Sequence, residues 1–186
     1  KVPQVLAVAG DDSPIGRPLF VCEFVSGTIL RRELPDDAPV AEMADTFIQT
    51  LVDLHAVDTS AGELATFNKG QGYVRRQVEG WNARYRQART DDVPDAESVM
   101  AWLADRQPAD VAACVIHNDW RFDNIVLDPQ NLASVKAVLD WELATVGDPF
   151  MDLGSAMAYW VQADDEPGMQ AFRMQPSTAD GMPTRA

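Results

Sequence analysis

The chain of 186 residues contains little cysteine and little histidine. Two cysteines cannot form a disulfide framework, and two histidines are too few for a site built on histidine and cysteine ligands. Cys22 and Cys114 each lie within an apolar run, and we expect both to be buried, reduced thiols. This cysteine usage favours a reducing compartment and predicts a cytoplasmic protein.

Positive charge is also scarce, because 15 Lys and Arg residues face 29 Asp and Glu residues and give a net charge of −14. Such a charge opposes binding to nucleic acid or to an anionic membrane surface, so we predict neither partner. No apolar run approaches the length of a membrane span. The hydrophobic content of 46% is ordinary for a globular chain, and the length suits one domain or one large lobe.

Hydrophobic patterning predicts both strands and helices. Apolar runs bounded by Gly, Pro and Ser predict strands, and apolar residues at three- and four-residue steps predict helices. Strands are predicted over residues 2–9, 19–25, 111–116, 125–127 and 135–139. Helices are predicted over residues 40–54, 74–89, 94–106 and 150–162. Strands and helices do not alternate as in a doubly wound sheet, so the order favours an α+β fold.

The helical periodicity also predicts which side chains face the core. The inward positions are Val40, Met43, Phe47, Leu51 and Leu54 in the first helix, Val74, Val78, Trp81 and Tyr85 in the second, and Val99, Trp102 and Leu103 in the third. Asp148 is the natural N-cap of the last helix and Pro149 its natural first residue. Beyond residue 164, prolines and glycines predict an extended tail.

The most informative segment is His117-Asn-Asp-Trp-Arg-Phe-Asp-Asn124, which Asp140 follows sixteen residues later. If residues 125–127 and 135–139 pair as a hairpin centred near Leu132, Asn124 and Asp140 face each other at its open end. An amide oxygen and a carboxylate placed in this way suit magnesium, completed by water and phosphate oxygens. Asp119 would project towards the same place and could accept a proton from a hydroxyl that attacks a phosphate.

These residues resemble the catalytic and metal-binding segments of kinase-fold small-molecule phosphotransferases, the aminoglycoside phosphotransferases and choline kinases. The continuation from Val138 to Gly154 is similar to a branch that also occurs fused to acyl-CoA dehydrogenases. The resemblance implies a protein-kinase-like fold of the α+β class, represented mainly by its helical C-terminal lobe. Residues 1–27 would then be the end of the N-terminal lobe and the hinge, and residues 28–186 the C-terminal catalytic lobe.

The resemblance also implies roles for individual residues. Asp119 is expected to be the catalytic carboxylate, and Asn124 and Asp140 are expected to bind Mg²⁺. His117, the other residue of the catalytic motif, is expected to pack beneath the loop and hold its backbone rather than to transfer protons. Asp152 matches a buried carboxylate that accepts backbone N–H bonds from this loop. Asn118 is a departure, since aminoglycoside phosphotransferases usually carry glycine there and choline kinases do not.

Residues 19–27 resemble the kinase hinge, which implies ATP as the second cofactor. The carbonyl of Glu23 would accept a bond from the adenine amino group, and the N–H of Val25 would meet a ring nitrogen. Cys22 would lie behind the adenine, and Val126 and Leu139 would form the apolar floor beneath it. The alternative for residues 19–25 is a plain buried strand.

Two parts of a complete kinase-like enzyme have no match in the sequence, the Gly-rich loop and the strand lysine that grip the phosphates. The three lysines, Lys1, Lys69 and Lys136, do not fit that role. We therefore expect the chain to begin just upstream of the hinge, to lack most of the N-terminal lobe and to be short of the closing helices. A fragment of a longer, competent enzyme is favoured over a naturally reduced relative.

The predicted reaction is ATP- and Mg²⁺-dependent transfer of the γ-phosphoryl group to a hydroxyl of a small molecule. The acceptor could be an aminoglycoside-like amino sugar, an amino alcohol or a hydroxyacyl thioester, and the sequence does not predict which, nor the oligomeric state. One alternative is a non-catalytic nucleotide- or ligand-binding module on the same fold. Another is a metal-dependent hydrolase, which is disfavoured because the sequence has no His-x3-His motif or Cys/His cluster, although an acidic two-metal site without histidine stays an alternative. It would draw on His117, Asp119, Asp140, Asp148 and Asp152.

Several other residues have two interpretations each. His55 is expected to pack or to cap a helix. Arg121 either forms a salt bridge with Asp123 or Glu142, or contacts a phosphate or the acceptor. Trp81 and Trp102 are expected in the core, whereas Trp120 and Trp141 either wall the acceptor pocket or pack elsewhere. The arginines of the second predicted helix form a solvated face or, as the minority view, a surface for an anionic substrate.

Overall fold

The computed structural model of the chain describes residues 1–185, which form helices and antiparallel strands. The strands are β1 Val5–Ala9, β2 Leu19–Cys22, β3 Cys114–Ile116, β4 Ile125–Asp128, β5 Asn131–Val138 and β6 Thr145–Gly147. The helices are α1 Val40–His55, α2 Leu64–Phe67, α3 Tyr73–Ala88, α4 Glu97–Arg106, α5 Pro149–Ala158 and α6 Pro167–Ala171. Single 3₁₀ turns cover Phe122–Asn124 and Trp141–Leu143.

The strands form three separate antiparallel pairs, β1 with β2, β3 with β6, and β4 with β5. Such pairs combined with helices agree with the predicted α+β class. The predicted strands and helices are present with shifted ends, whereas α2 and β6 were not predicted. The tail expected to be extended contains the short helix α6. No helix within residues 1–185 combines the length and the apolar character needed to cross a membrane.

The chain divides into two compact units. Among the described residues, the first unit comprises residues 1–52, 119–143 and 155–185, and the second comprises residues 53–118 and 144–154. The predicted boundary at residue 27, between a hinge and a catalytic lobe, is a functional division and stays a prediction.

An aromatic cluster around α1 forms the core of the first unit. Met43, Phe47 and Leu51 of α1 are buried, as the three- and four-residue spacing predicts. The ring of Phe47 stacks on that of Phe122 with centroids 4.3 Å apart, and it lies 5.6 Å from Trp120. Trp120 is only 1% exposed and belongs to this core, so the prediction that it could wall an acceptor pocket is wrong.

In the second unit, the predicted inward faces of α3 and α4 are only partly correct. Val74 of α3 is buried as expected, but Trp81 is 61% exposed. In α4 the buried residue is Met100, whereas Val99, Trp102 and Leu103 are exposed. Arginines lie over the two exposed tryptophan rings, Arg84 over Trp81 at 4.7 Å and Arg106 over Trp102 at 5.4 Å. The spacing predicts an apolar stripe but not whether another element covers it.

Gly27 lies where a side chain cannot be accommodated. A Cβ atom there would be 2.5 Å from the carbonyl oxygen of Leu127, which is fixed because it accepts the N–H of Thr28. We expect Gly27→Ala to lower the free energy of unfolding of the full-length protein by about 1–3 kcal/mol, measured by urea denaturation. Gly154→Ala is the control, because a Cβ there meets open space within α5. Gly154→Ala should raise the free energy of unfolding by up to about 1 kcal/mol. Equal effects of the two substitutions would contradict the claim that residue 27 has no room for a side chain.

The two cysteines differ in exposure, which corrects the prediction that both are buried. Cys114 is buried in β3, whereas Cys22 is exposed at the end of β2. Burial, followed by the charges of Asp152 and Asp148, raises the pKa of the Cys114 thiol to about 11.

We therefore expect iodoacetamide at pH 8 to alkylate Cys22 in the native protein and to spare Cys114, because the thiolate is the reactive form. Peptide mass mapping after timed quenching measures both rates. In denaturant the two residues should react alike. Equal native rates would show that Cys114 is not protected.

Candidate functional site

The β4–β5 hairpin positions Asn124 and Asp140. Its turn is Pro129–Gln130, since Asp128 pairs with Asn131, and Ile125 pairs with Val138 at the open end. The predicted hairpin is therefore confirmed, but its predicted centre near Leu132 is wrong. Two irregularities between Val126 and Asp128 absorb the difference in strand length.

The register places Leu139, rather than Asp140, opposite Asn124. The N–H of Leu139 donates to the carbonyl of Asn124 at 2.8 Å. The predicted direct pairing of Asn124 with Asp140 is thus off by one residue, because the turn lies earlier in the chain than the sequence suggested and the two irregularities restore most of the register. Asp140 follows Leu139 at the same open end of the hairpin and is exposed.

Asp140 has an unusual backbone conformation, with a φ of 62°. Within residues 1–185, Asn118 is the other non-glycine residue with positive φ, at 64°. Asp and Asn tolerate this left-handed region better than most residues, but it still costs conformational energy. Backbone strain of this kind concentrates at functional sites. Here it marks Asp140 itself and the residue immediately before Asp119.

Asn124 holds Asp119 through its side-chain amide. The Asn124 Nδ2 group donates to the Asp119 carboxylate at 2.9 Å and to its backbone carbonyl at 2.8 Å. Because both amide hydrogens are directed at Asp119, the Oδ1 atom of Asn124 remains as an acceptor. The structure therefore brings together two of the three predicted central residues and orients both side chains.

Arg121 holds the other oxygen of the Asp119 carboxylate. Its Nε atom lies 3.2 Å from Asp119 Oδ1 and 3.3 Å from Asp123 Oδ1. The guanidinium stacks over the ring of Tyr159, 4.8 Å from its centre. The predicted salt bridge with Asp123 is confirmed, and the ion pair with Asp119 was not predicted. One oxygen of Asp119 thus accepts a hydrogen bond from Asn124, and the other has a charged neighbour 3.2 Å away.

The donor set at this end of the hairpin fits magnesium in its chemistry. Asn124 Oδ1 and the Asp140 carboxylate are hard oxygen donors, and Mg²⁺ commonly takes one or two protein ligands together with water and phosphate oxygens. Across residues 1–185 there is no group of three or more His, Cys, Asp or Glu side chains that could hold a metal ion. An ion bound without phosphates would have few protein ligands here.

A second buried carboxylate holds the backbone just before Asp119. Asp152 is fully buried and accepts the N–H of His117 at 2.9 Å and of Asn118 at 2.7 Å. This confirms the role that the resemblance implied for Asp152. His117 is also fully buried, in agreement with packing beneath the loop.

Sequence reasoning missed the partner of His55. The Nε2 atom of His55 lies 2.9 Å from the Asp152 carboxylate. Asp152 therefore has three partners, which compensate for the burial of its charge. The available signal was the position of His55 at the end of the amphipathic helix α1, four residues after the buried Leu51.

Asn118 keeps its left-handed conformation with help from Tyr73. Its side chain forms a hydrogen bond with the Tyr73 hydroxyl, and burial is the main reason why the pKa of Tyr73 is raised. Gly147 makes room for the Tyr73 ring, because a Cβ there would lie 2.6 Å from the ring's Cζ atom. An asparagine can thus replace the glycine usual in aminoglycoside phosphotransferases.

The predicted hinge follows the exposed strand β2. The N–H of Glu23 donates to the carbonyl of Gln4 at 2.8 Å, and the bonds formed by residues 1–185 include none from the N–H of Val25. Cys22 is exposed, so the alternative of a plain buried strand is wrong. The roles of Cys22, Glu23 and Val25 in binding adenine stay predictions.

The predicted adenine floor lies on the hairpin that carries the site. Thr28 pairs with Leu127 of β4, which brings residue 27 against Val126. Val126 is buried and Leu139 is half-buried. The segment after the predicted hinge is therefore in contact with the hairpin of the candidate site.

Asp148 has a structural role. Its carboxylate caps α5 by accepting the N–H of Phe150 at 2.9 Å, as predicted, and it also accepts the N–H of Val111 at 2.6 Å. Asp148 and Asp152 therefore both accept backbone N–H groups of the protein, which disfavours them as metal ligands of a hydrolase. Trp141, half-buried, donates from Nε1 to the carbonyl of Val138 at 2.8 Å.

Comparison with known proteins gives concordant matches. The profile of the phosphotransferase enzyme family (APH) matches residues 1–185. Acyl-CoA dehydrogenase family member 10 of Mus musculus is 38% identical over 187 residues, which cover 98% of this chain and 17% of the mouse protein. A crystal structure from Ralstonia eutropha JMP134, provisionally named an aminoglycoside phosphotransferase, is 32% identical with a TM-score of 0.79. That match covers 98% of this chain and 56% of the other.

A more distant structure supports the fold alone. It is a thermostable mutant of the aminoglycoside phosphotransferase APH(4)-Ia in a ternary complex with ADP and hygromycin B. The identity is 17% and the TM-score 0.60, over 86% of this chain and 55% of the other. The chain thus spans about a sixth of the curated mouse relative and just over half of each of these solved chains.

The fold class follows from these matches. Aminoglycoside phosphotransferases have a protein-kinase-like fold, and the predicted fold is thereby confirmed. With a family profile matched along residues 1–185, the chain belongs to the phosphotransferase enzyme family.

Proposed function

We propose that the chain forms the larger part of the catalytic domain of an ATP- and Mg²⁺-dependent enzyme that transfers the γ-phosphoryl group to a hydroxyl of a small molecule. The observation that carries the proposal is the Asp119 carboxylate, held 2.9 Å from the Asn124 amide at the open end of the hairpin that also carries Asp140. In this proposal residues 1–27 are the end of the N-terminal lobe and the hinge, and residues 28–186 are the catalytic lobe.

Asp119 accepts the proton of the acceptor hydroxyl and orients its oxygen. Asn124 donates a hydrogen bond to one carboxylate oxygen, and the Nε atom of Arg121 lies 3.2 Å from the other, so rotation of the side chain is restricted. A pre-oriented acceptor lowers the barrier because phosphoryl transfer needs the attacking oxygen in line with the phosphate. Carboxylates are weak bases at neutral pH, and orientation is therefore the larger part of the contribution of Asp119.

Asn124 and Asp140 hold the metal ion through Asn124 Oδ1 and the Asp140 carboxylate. When bound, Mg²⁺ neutralises charge on the β- and γ-phosphates. The hydrogen bonds from the Asn124 amide to Asp119 couple this site to the catalytic carboxylate, because they fix the direction of Oδ1.

The adenine contacts the hinge through the carbonyl of Glu23 and the N–H of Val25, with Cys22 behind it. Val126 and Leu139 provide the apolar surface beneath the base. Support comes from the contact of residue 27 with Val126 and from the distant neighbour that contains ADP.

The acceptor is a small molecule with a free hydroxyl, and two classes have separate support. The distant neighbour was captured with hygromycin B, an aminoglycoside. The curated relative is named for acyl-CoA dehydrogenation, which favours a hydroxyacyl thioester. An amino alcohol is the third class, and the net charge of −14 suits its cationic group. We expect the enzyme to work in the cytoplasm, where reduced thiols such as Cys22 persist.

Phosphotransfer assays with the full-length protein test the proposal. Magnesium and [γ-³²P]ATP are supplied with aminoglycosides, amino alcohols or hydroxyacyl-CoA thioesters. We expect label to move to one class, with one ADP formed per phosphate transferred. The same thioester without its hydroxyl group is the matched control. If magnesium–ATP neither raises Tm nor transfers label, a non-catalytic module is supported, whereas acceptor-independent release of phosphate would support a hydrolase.

A further inference from the structure

The segment between Asp119 and Asn124 contains a backbone donor that its own turn does not satisfy. The 3₁₀ turn Phe122–Asn124 begins with the N–H of Phe122, and the first amides of such a turn have no partner within it. The side chain of Arg121, at the N-cap position, does not cap the turn. A donor left without a partner in a buried place would cost about 1–3 kcal/mol.

Gln175 supplies the missing acceptor. Its Oε1 atom accepts the N–H of Phe122 at 3.2 Å, although the two residues are 53 positions apart in the chain. Its Nε2 atom donates to the carbonyl of Tyr159 at 3.1 Å. Gln175 is 1% exposed, so both ends of its amide are used where water does not compete.

The neighbours of Gln175 hold the adjacent loop residue. The Nη1 group of Arg121 contacts the sulfur of Met174 at 3.8 Å, and the same guanidinium stacks over Tyr159. Residues 174 and 175 together with Tyr159 therefore fix two successive residues of the loop, Arg121 and Phe122.

The segment that carries Gln175 is itself anchored on both sides. Before it, Arg173 pairs with the carboxylate of Glu33 at 2.9 Å and hydrogen bonds to the carbonyl of Arg32. After it, the buried Ser177 donates to the carbonyl of Val161 at 2.7 Å. These anchors make Gln175 a fixed support.

We propose that Gln175 is a positioning residue, which sets the distance between Asp119 and Asn124 by fixing Phe122 between them. This inference rests on the proposed phosphotransferase function. Loss of the bond frees the turn and displaces the Asp119 carboxylate from its in-line position. Displacements of about 1 Å can reduce turnover by up to about a hundredfold. The side-chain amide of Gln175 bonds to Phe122 and Tyr159, and neither of these residues belongs to the proposed hinge. Nucleotide binding therefore does not depend on the bond between Gln175 and Phe122.

The test replaces Gln175 by methionine in the full-length protein, which keeps the size of the side chain and removes both bonds. We expect kcat to fall about tenfold, with KM for ATP changed less than twofold. Amide exchange in a peptide covering residues 119–124 should become at least about tenfold faster. Gln170→Met is the matched control, because it removes a side-chain bond to the carbonyl of Gln162 in the same region and leaves the loop untouched.

A second variant, Gln175→Glu, tests whether the acceptor for the N–H of Phe122 is what keeps the loop in place. Gln175→Glu keeps an acceptor for Phe122, and its buried carboxyl group, when protonated, can also donate to the carbonyl of Tyr159, so exchange at residues 119–124 and kcat should remain closer to wild type than in Gln175→Met. If Gln175→Met does not fold, Gln175→Glu decides alone, and fast exchange in it would overturn the proposal. Unchanged exchange in Gln175→Met would also overturn it. The exchange measurement needs no activity, so a failure of the proposed reaction is seen separately, as absence of transfer by the wild-type protein.

Discussion

Asp119→Asn in the full-length protein should lower kcat for phosphoryl transfer by about 10²–10⁴-fold, with the Kd of magnesium–ATP changed less than about threefold. Asparagine has the shape of aspartate, and its Oδ1 can still accept the bond from Asn124. It cannot take the hydroxyl proton, and it loses the ion pair with Arg121. Steady-state kinetics with the acceptor identified in the phosphotransfer assays measures kcat. Calorimetric titration of nucleotide measures the Kd of magnesium–ATP.

Asp123→Asn is the matched control for this substitution. Asp123 pairs with the same Nε atom of Arg121 at 3.3 Å and is exposed to the same extent as Asp119. It should retain most of the wild-type kcat, because Asn124 does not hold its carboxylate. A similar kcat for the two variants would remove Asp119 from its catalytic role.

Asp140→Gly should abolish most of the magnesium dependence of nucleotide binding. Glycine removes the carboxylate and accepts the φ of 62° without strain, so the fold should be preserved better than in Asp140→Ala. With only Asn124 left as a protein ligand, we expect the gain in ATP affinity on adding Mg²⁺ to fall at least about tenfold. Calorimetric titrations of ATP with and without Mg²⁺ give this ratio.

Asp128→Asn is the control for the hairpin. It removes one carboxylate from the opposite end of the same hairpin, and its amide oxygen can still accept the N–H of Gln130. The magnesium effect should be unchanged in this variant. A normal magnesium effect in Asp140→Gly would show that Asp140 is not a ligand.

The hairpin illustrates how far the sequence predicts the site. Alternating apolar residues and a turn segment were sufficient to pair β4 with β5 and to place Asn124 and Asp140 at one end. The register was wrong by one residue, because it depends on which residues form the turn, and Pro129–Gln130 was not distinguishable from later polar positions. The positive φ of Asp140 has no signal in a pattern of hydrophobicity.

Helix α1 and helix α4 show the same limit in packing. The apolar stripe of α1 is covered by Trp120, Phe122 and Trp160. Three of its predicted inward residues are buried, whereas Val40 and Leu54 are half-buried. The stripe of α4 predicted from Trp102 remains exposed, because periodicity identifies a face without identifying what covers it.

Contacts between distant parts of the chain could not be predicted from the local sequence pattern. His55 meets Asp152 across 97 positions, and Gln175 meets Phe122 across 53. Histidine and glutamine are common in many structural roles, so neither residue was distinguishable by type. Asp152 was found only through the family resemblance, which supplied the long-range information that local spacing lacks.

The most direct test of the metal site is a crystal structure of the full-length protein with Mg²⁺ and AMP-PNP. We predict Asn124 Oδ1 and an Asp140 oxygen at about 2.0–2.1 Å from one ion, with the Asp119 carboxylate facing the terminal phosphate. A magnesium ion held by other side chains, with Asn124 and Asp140 both outside its coordination shell, would contradict the proposed function.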